Sequence, residues 1–145
     1  MARRQRDQYY TDELAIRALL AAYPDLAGDV LGDPCCGDGR MARMLAPRFR
    51  RVITNDLNPA VLADFHMDAV PFIEMARVAI AQPVGDELEG VDWWVSNVPY
   101  FAAGDITRAC LDTARRGVAM LLRCTFLEPC GPSHACRRKR PVIPC

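Results

Sequence analysis

A strand, a tight glycine turn and a helix start within one short segment constrain the fold of this chain more than any other feature. The apolar pair Val30-Leu31 leads into residues 33–39, D-P-C-C-G-D-G, and the helix-compatible residues 40–46 follow. Gly37 and Gly39 lack a Cβ atom, so the turn can adopt positive φ and let a ligand approach its backbone closely. The turn departs from G-x-G-x-x-G, which disfavours an NAD site. It is either a ligand site or only a turn.

Strand and helix patterns alternate along the rest of the chain. Thr11 can cap a first helix, which Pro24 ends, and Pro71 stands in the first turn of another helix. Further strands are predicted at residues 51–55, 64–68, 91–96 and 117–122, and further helices from about residue 60, at 71–80 and at 104–116. Such alternation predicts an α/β fold, with a parallel sheet covered by helices on both faces.

Four polar signals fall at the carboxyl ends of the predicted strands, where ligands of open α/β sheets bind. They are the glycine turn, Asp56, Asp68 and Asn97. Asp56 lies about 20 residues after the turn, where an acid accepts hydrogen bonds from ribose hydroxyls. Capping a helix is an alternative role for Asp56 and for Asp68, and residues 97–100 could be a plain turn before a proline.

Taken together, the motifs D-P-C-C-G-D-G, N-D-L-N-P and N-V-P-Y resemble those of S-adenosylmethionine-dependent methyltransferases that modify amino groups. The resemblance covers residues 8–128, includes Q-Y-Y-T at residues 8–11, and is greatest to adenine-specific DNA methyltransferases, including phage and prophage forms. It implies a Rossmann-like methyltransferase sheet. It also implies methyl transfer from S-adenosylmethionine to the exocyclic amino group of adenine in duplex DNA whose target base is flipped out.

The resemblance also assigns site residues. Asn97 and the carbonyl of Val98 would accept the two amine hydrogens and direct the nitrogen lone pair at the methyl group, Pro99 would fix the turn, and Tyr100 would stack on the base. The cofactor-binding residues implied are Tyr10, Thr11, Asp33, Cys35, Gly37, Gly39, Asp56, Leu57, Asp68 and Asn97. The family usually has two prolines in this turn and a proline after Thr11, whereas this chain has Val98 and Asp12.

Composition limits the partners. The chain of 145 residues has 18 basic and 18 acidic residues, so nucleic acid can be attracted only by a local patch. Its apolar runs are shorter than a membrane span, and no signal peptide precedes the first helix, which predicts no membrane contact and a cytoplasmic location. Seven cysteines without a C-x-x-C pair indicate free thiols and no metal site.

The end of the chain departs from the family. We expect a methyltransferase domain at residues 1–128, with a flexible start at 1–8, and an irregular basic tail rich in proline and cysteine at 129–145. The terminal β-hairpin of the family is expected to be lacking, which would leave residues 118–122 at a sheet edge prone to self-association. The basic run at 137–140 is a solvated tail or a phosphate contact.

Alternative functions are methylation of a protein glutamine or an RNA base, or an inactive cofactor-binding domain.

Overall fold

A computed structural model of the protein describes residues 11–80 and 90–122. The described elements, in chain order, are α1 (Glu13–Ala22), β1 (Gly28–Asp33), α2 (Arg40–Leu45), β2 (Phe49–Thr54), α3 (Ala69–Ile80), β3 (Trp93–Ser96), α4 (Ala103–Thr113) and β4 (Gly117–Met120). Short 3₁₀ turns at Ala46–Arg48 and Tyr100–Ala102 precede β2 and α4.

The four described strands form one sheet in the order β2-β1-β3-β4, and every pair is parallel. Side chains of successive strand residues point to opposite faces, so each strand supplies both layers of the core. Val30 and Trp94 pack with α3 and α4 on one face, whereas Leu31 and Val95 pack with α1 and α2 on the other. The predicted α/β sheet with helices on both faces is confirmed.

The buried ring of Trp94 crosses β1 directly over Gly32. A Cβ atom at Gly32 would collide with this indole ring, so the position accepts no side chain without movement of the core. The indole nitrogen of Trp94 donates a 3.0 Å hydrogen bond to the hydroxyl of Thr113 at the end of α4. Trp94 therefore packs in the core, and this contact fixes α4 against the sheet.

Asp92 closes the amino end of the sheet. Its carboxylate is buried and accepts hydrogen bonds from the amides of Asp29 and Val30, at 2.6 and 3.1 Å. The guanidinium groups of Arg115 and Arg116 lie 3.9 and 4.0 Å from its other oxygen. These contacts join β1, β3 and the segment before β4, so Asp92 stabilises the amino edge of the sheet. A ligand site is therefore expected at the opposite, carboxyl edge.

Two predictions about the chain after β2 are wrong. The expected helix from about residue 60 is a turn, because the side chain of Asn58 accepts a hydrogen bond from the amide of Ala60. The expected strand at residues 64–68 is reduced to a single bridge between Asn55 and Phe65. Asp64 folds back to accept from the amide and hydroxyl of Thr54, which leaves no length for a ladder.

Other boundaries differ by a few residues. Asp12, and not Thr11, caps α1, since its side chain accepts from the amide of Leu14 at 3.0 Å. The last described strand ends at Met120 and is the fourth, not the fifth. Residues 1–10, 81–89 and 123–145 lie outside the described part. The predictions for the flexible start, Tyr10, the hairpin and the tail therefore lie outside it as well. No helix within the described ranges is long and apolar enough to span a membrane.

Candidate functional site

The order in which the chain adds strands to the sheet reverses between β1 and β3. From β1 the chain proceeds to β2 on one side and then returns to place β3 and β4 on the other side. Loops that leave neighbouring strands at such a point diverge and open a crevice at the carboxyl edge. The glycine turn follows β1 at this edge, and residues 97–100 follow β3, so the fold brings the two principal predicted motifs to the same edge of the sheet.

The glycine turn has the conformation that its residues predicted. Gly37 and Gly39 have φ values of 54° and 72°, in the left-handed region where a side chain is strained. A Cβ atom on Gly37 would meet no atom within 4 Å, so this part of the backbone faces open space. The turn therefore leaves room for a ligand directly against its backbone.

Asp56 fixes the turn from the end of β2. One carboxylate oxygen accepts the amide of Gly37 at 2.9 Å, and the other accepts the amide of Asn58 at 2.8 Å. A carboxylate offers about four acceptor positions, so two of them remain. The side chain is half-buried. Asp56 can thus hold the turn and also accept hydrogen bonds from a ligand. The alternative role of capping a helix does not hold, because a turn follows Asp56 where a helix was expected.

Asp33 lies behind the turn and is almost completely buried. Its Oδ1 atom accepts a 2.7 Å hydrogen bond from the hydroxyl of Ser96 and a 3.3 Å bond from the amide of Cys35. Burial raises the pKa of the Asp33 carboxyl to about 7, although both hydrogen bonds oppose this shift and the charge of Asp56 adds to it. In this position the carboxyl braces the turn, and direct contact with a cofactor remains a prediction.

Asn55 joins the turn to the segment that follows β2. Its side-chain amide donates to the carbonyl oxygens of Pro34 and Met67, both at 3.0 Å, and its oxygen accepts the Met67 amide at 3.1 Å. These bonds bring the exposed Asp68, at the start of α3, to the same edge as the glycine turn. Sequence analysis did not identify Asn55 or Ser96. The only local signal was a polar residue at the end of an apolar strand.

The N-V-P-Y segment leaves β3 beside this braced turn. Asn97 is half-buried, whereas the side chain of Val98 is 2% exposed and anchors the segment in the core. Pro99 has a φ of −62° and begins the 3₁₀ turn that carries Tyr100. Because Val98 is predicted to act through its main-chain carbonyl, burial of its side chain is compatible with that role.

The remaining predicted residues differ in exposure, and cysteines lie close to them. Thr11 is buried just before α1, and Leu57 is exposed directly after Asp56. Cys35, Cys36 and Cys110 are free thiols. Burial raises the pKa of Cys36 to about 12 and raises those of Cys35 and Cys110 further, so these thiols stay protonated. No metal-binding group of histidine, cysteine or acidic side chains occurs among residues 11–80 and 90–122.

The parallel sheet, its strand order and its flanking helices define a Rossmann-like α/β fold. The chain is similar in structure to a dimethyladenosine transferase from Plasmodium falciparum, with a TM-score of 0.53 and 13% sequence identity. The match covers 82% of this chain and 44% of the other, so this chain spans less than half the length of that neighbour. No family model and no curated protein matches the sequence. At this identity the likeness establishes the fold.

Proposed function

We propose that the chain transfers a methyl group from S-adenosylmethionine to the exocyclic amino group of adenine in a nucleic acid. The observation that carries the proposal is the position of two motifs side by side at the carboxyl edge of the sheet. A glycine turn with open space against its backbone follows β1, and the Asn97–Tyr100 segment follows the adjacent β3. The bond from Ser96 to Asp33 joins the two directly.

The residues present fit the cofactor. Open space at Gly37 accommodates a group that a Cβ atom would obstruct, and Asp56 retains acceptor positions for the two hydroxyls of a ribose. Leu57 offers an exposed apolar side chain beside that carboxylate. When bound, S-adenosylmethionine supplies a methyl group already activated by the positive sulfur.

The chain's own task is then to orient the amine. An exocyclic aromatic amine is a weak nucleophile, because its lone pair is delocalised into the ring. The side-chain oxygen of Asn97 and the carbonyl of Val98 would each accept one amine hydrogen and favour a tetrahedral nitrogen. Tyr100 would stack on the base once it has left the duplex. The buried side chain of Val98 and the fixed φ of Pro99 keep this segment in place.

Two nucleic acids are candidates. The order of the sequence motifs favours duplex DNA with a flipped adenine. The structural neighbour favours RNA, because its name refers to dimethyladenosine, and adenosine is the ribonucleoside. The two substrates share the adenine amine and differ in the sugar, so the same proposed chemistry serves both.

Incubation of the full chain with methyl-labelled S-adenosylmethionine tests the proposal. Unmethylated duplex DNA, a short RNA and protein alone are offered separately, and the products are digested and separated as nucleosides. We expect label in methyladenine nucleosides, with loss of label in an Asn97→Ala variant prepared in parallel. Label in protein alone would move the function to the glutamine class, and cofactor binding without transfer to any substrate would indicate an inactive domain.

A further inference from the structure

Phe101 is an aromatic side chain presented to solvent beside the proposed catalytic segment. It is 91% exposed, whereas its neighbour Tyr100 is half-buried. Both belong to the 3₁₀ turn Tyr100–Ala102, which begins immediately after Pro99. An aromatic ring contributes most of its favourable free energy when it is buried, so a partner that covers the ring of Phe101 would gain that contribution.

The turn that carries Phe101 is firmly supported. The amide of Ala102 donates a 3.0 Å hydrogen bond to the carbonyl of Pro99, which closes the turn. On one side Val98 is buried, and on the other Ala103 and Ile106 anchor the first turn of α4 in the core. Phe101 is therefore exposed on a backbone that is held on both sides.

Turn geometry separates the directions of the two rings. A 3₁₀ turn has three residues per turn, so consecutive side chains diverge by about 120°. The different burial of Tyr100 and Phe101 agrees with this divergence. A base that stacks on Tyr100 would therefore leave the exposed ring of Phe101 available to a neighbouring group.

We propose that Phe101 stacks on the nucleobase that flanks the target adenine. This inference rests on the proposed function and adds a second recognition element to it. The formal net charge of the chain is zero, so phosphate attraction from the molecule as a whole is weak, and local stacking contacts have to contribute to affinity. A flanking contact of this kind also influences which sequence context is methylated.

Binding to a short single-stranded oligothymidylate with one central adenine tests the inference, measured by fluorescence anisotropy with the full chain. We expect Phe101→Ala to weaken binding by on the order of tenfold, the scale of one lost stacking contact. Phe101→Trp should retain affinity, whereas Phe101→Leu should behave like the alanine variant, because leucine is apolar but has no ring. The dependence of affinity on salt should be the same in all variants, since no phosphate contact is removed.

A second oligonucleotide with abasic sites on both sides of the adenine isolates the flanking base. With this probe Phe101→Ala and the unmodified protein should bind equally. Leu62→Ala, a change at an apolar residue that is 95% exposed between β2 and α3, serves as the matched control and should leave binding unchanged. Methyl transfer is measured with the first probe and with its oligouridylate counterpart, which also carries one central adenine.

The outcomes separate the two proposals. The role of Phe101 would be overturned if Phe101→Ala bound the first probe and transferred methyl groups as well as the unmodified protein does. The proposed function would then remain intact. A loss of binding that persists with the abasic probe would also overturn it, because the flanking base would not be the partner. Absence of binding to the first probe in the unmodified protein would overturn the inference, whereas transfer to the duplex DNA and RNA substrates named above decides the proposed function separately.

Discussion

The hydroxyl of Ser96 donates a 2.7 Å hydrogen bond to the buried carboxyl of Asp33, and this bond joins the carboxyl ends of β1 and β3. Asp33 is 2% exposed and Ser96 is 0% exposed. Asp33 begins the glycine turn and Ser96 precedes Asn97, so this contact adds a direct side-chain link between the proposed cofactor turn and the proposed catalytic segment to the pairing of β1 with β3.

Ser96→Ala is expected to destabilise the protein. It removes a donor from a buried carboxyl that has no access to water, and such a loss costs about 1–3 kcal/mol of unfolding free energy. Denaturant unfolding measures the change. Thr107→Val is the matched control, because the hydroxyl of Thr107 is buried but has no hydrogen-bond partner in the described structure. Equal stability of Ser96→Ala and the unmodified protein would show that the contact is energetically unimportant.

The stability of the protein is expected to depend on pH through Asp33. Burial raises the pKa of this carboxyl from its ordinary value of 3.8 to about 7 in the folded protein. Between these values the folded protein retains a proton that the unfolded chain has released, so the unfolding free energy falls as pH rises from about 4 to about 7. Asp33→Asn should remove this contribution to the slope of thermal stability against pH. An unchanged slope in Asp33→Asn would contradict the prediction.

Cofactor affinity is expected to depend on Asp56 more than on a nearby carboxylate. Asp56→Ala removes the acceptor that holds the Gly37 amide and also the free acceptor positions proposed for the ribose. Loss of hydrogen bonds to a charged group should weaken S-adenosylmethionine binding by about 1.5–3 kcal/mol. Asp64→Ala is the control, since that carboxylate binds Thr54 instead. Titration calorimetry compares them, and similar affinities in the two variants would exclude the proposed ribose contact.

Local chemistry explains how much of the site was predictable. The positive φ of Gly37 and Gly39 follows from residue type, and the order of strands and helices follows from apolar patterns with period 2 or 3.6. Asn55 and Ser96 could not be identified in this way, because each acts on a partner far away in sequence. Asn55 donates hydrogen bonds to the carbonyl oxygens of Pro34 and Met67, and these partners can be identified only once the strands are assembled.

The incorrect helix at residue 60 has a local cause. The apolar pattern there permitted a helix, but Asn58 bonds to the backbone two residues later and forms a turn instead. The predicted cap at Thr11 is wrong by one residue for a related reason. Thr11 and Asp12 are both good caps, and burial of Thr11 leaves Asp12 to bind the amide of Leu14.

Turnover is expected to depend on Asn97 far more than cofactor binding does. Asn97→Ala removes an acceptor that matters most as positive charge develops on the amine nitrogen, so methyl transfer should fall by on the order of 100-fold. S-adenosylmethionine affinity and thermal stability should change little. Single-turnover transfer and calorimetry on the same preparation make the comparison. Full turnover in this variant would refute the role of Asn97, and lost cofactor affinity would assign it to binding instead.

Self-association is expected to involve β4, which pairs with β3 alone among the described strands. The amides of Gly117 and Leu121 donate to carbonyls of the β3 segment, so the backbone groups that alternate with them face away from the sheet. Such an edge favours pairing with a second chain. The side chain of Leu121 is 39% exposed at the end of this strand and adds apolar surface to the edge.

Leu121→Lys should therefore reduce association, because a charge at a strand edge opposes pairing while the amide bond to the carbonyl of Ser96 is retained. Leu14→Lys is the matched control, since Leu14 is 71% exposed on α1 and lies outside β4. Light scattering across a concentration series measures the mass of both variants and of the unmodified protein. An unmodified protein that stays monomeric across the whole concentration series would refute pairing through β4. Equal association in all three proteins would place the contact on another surface.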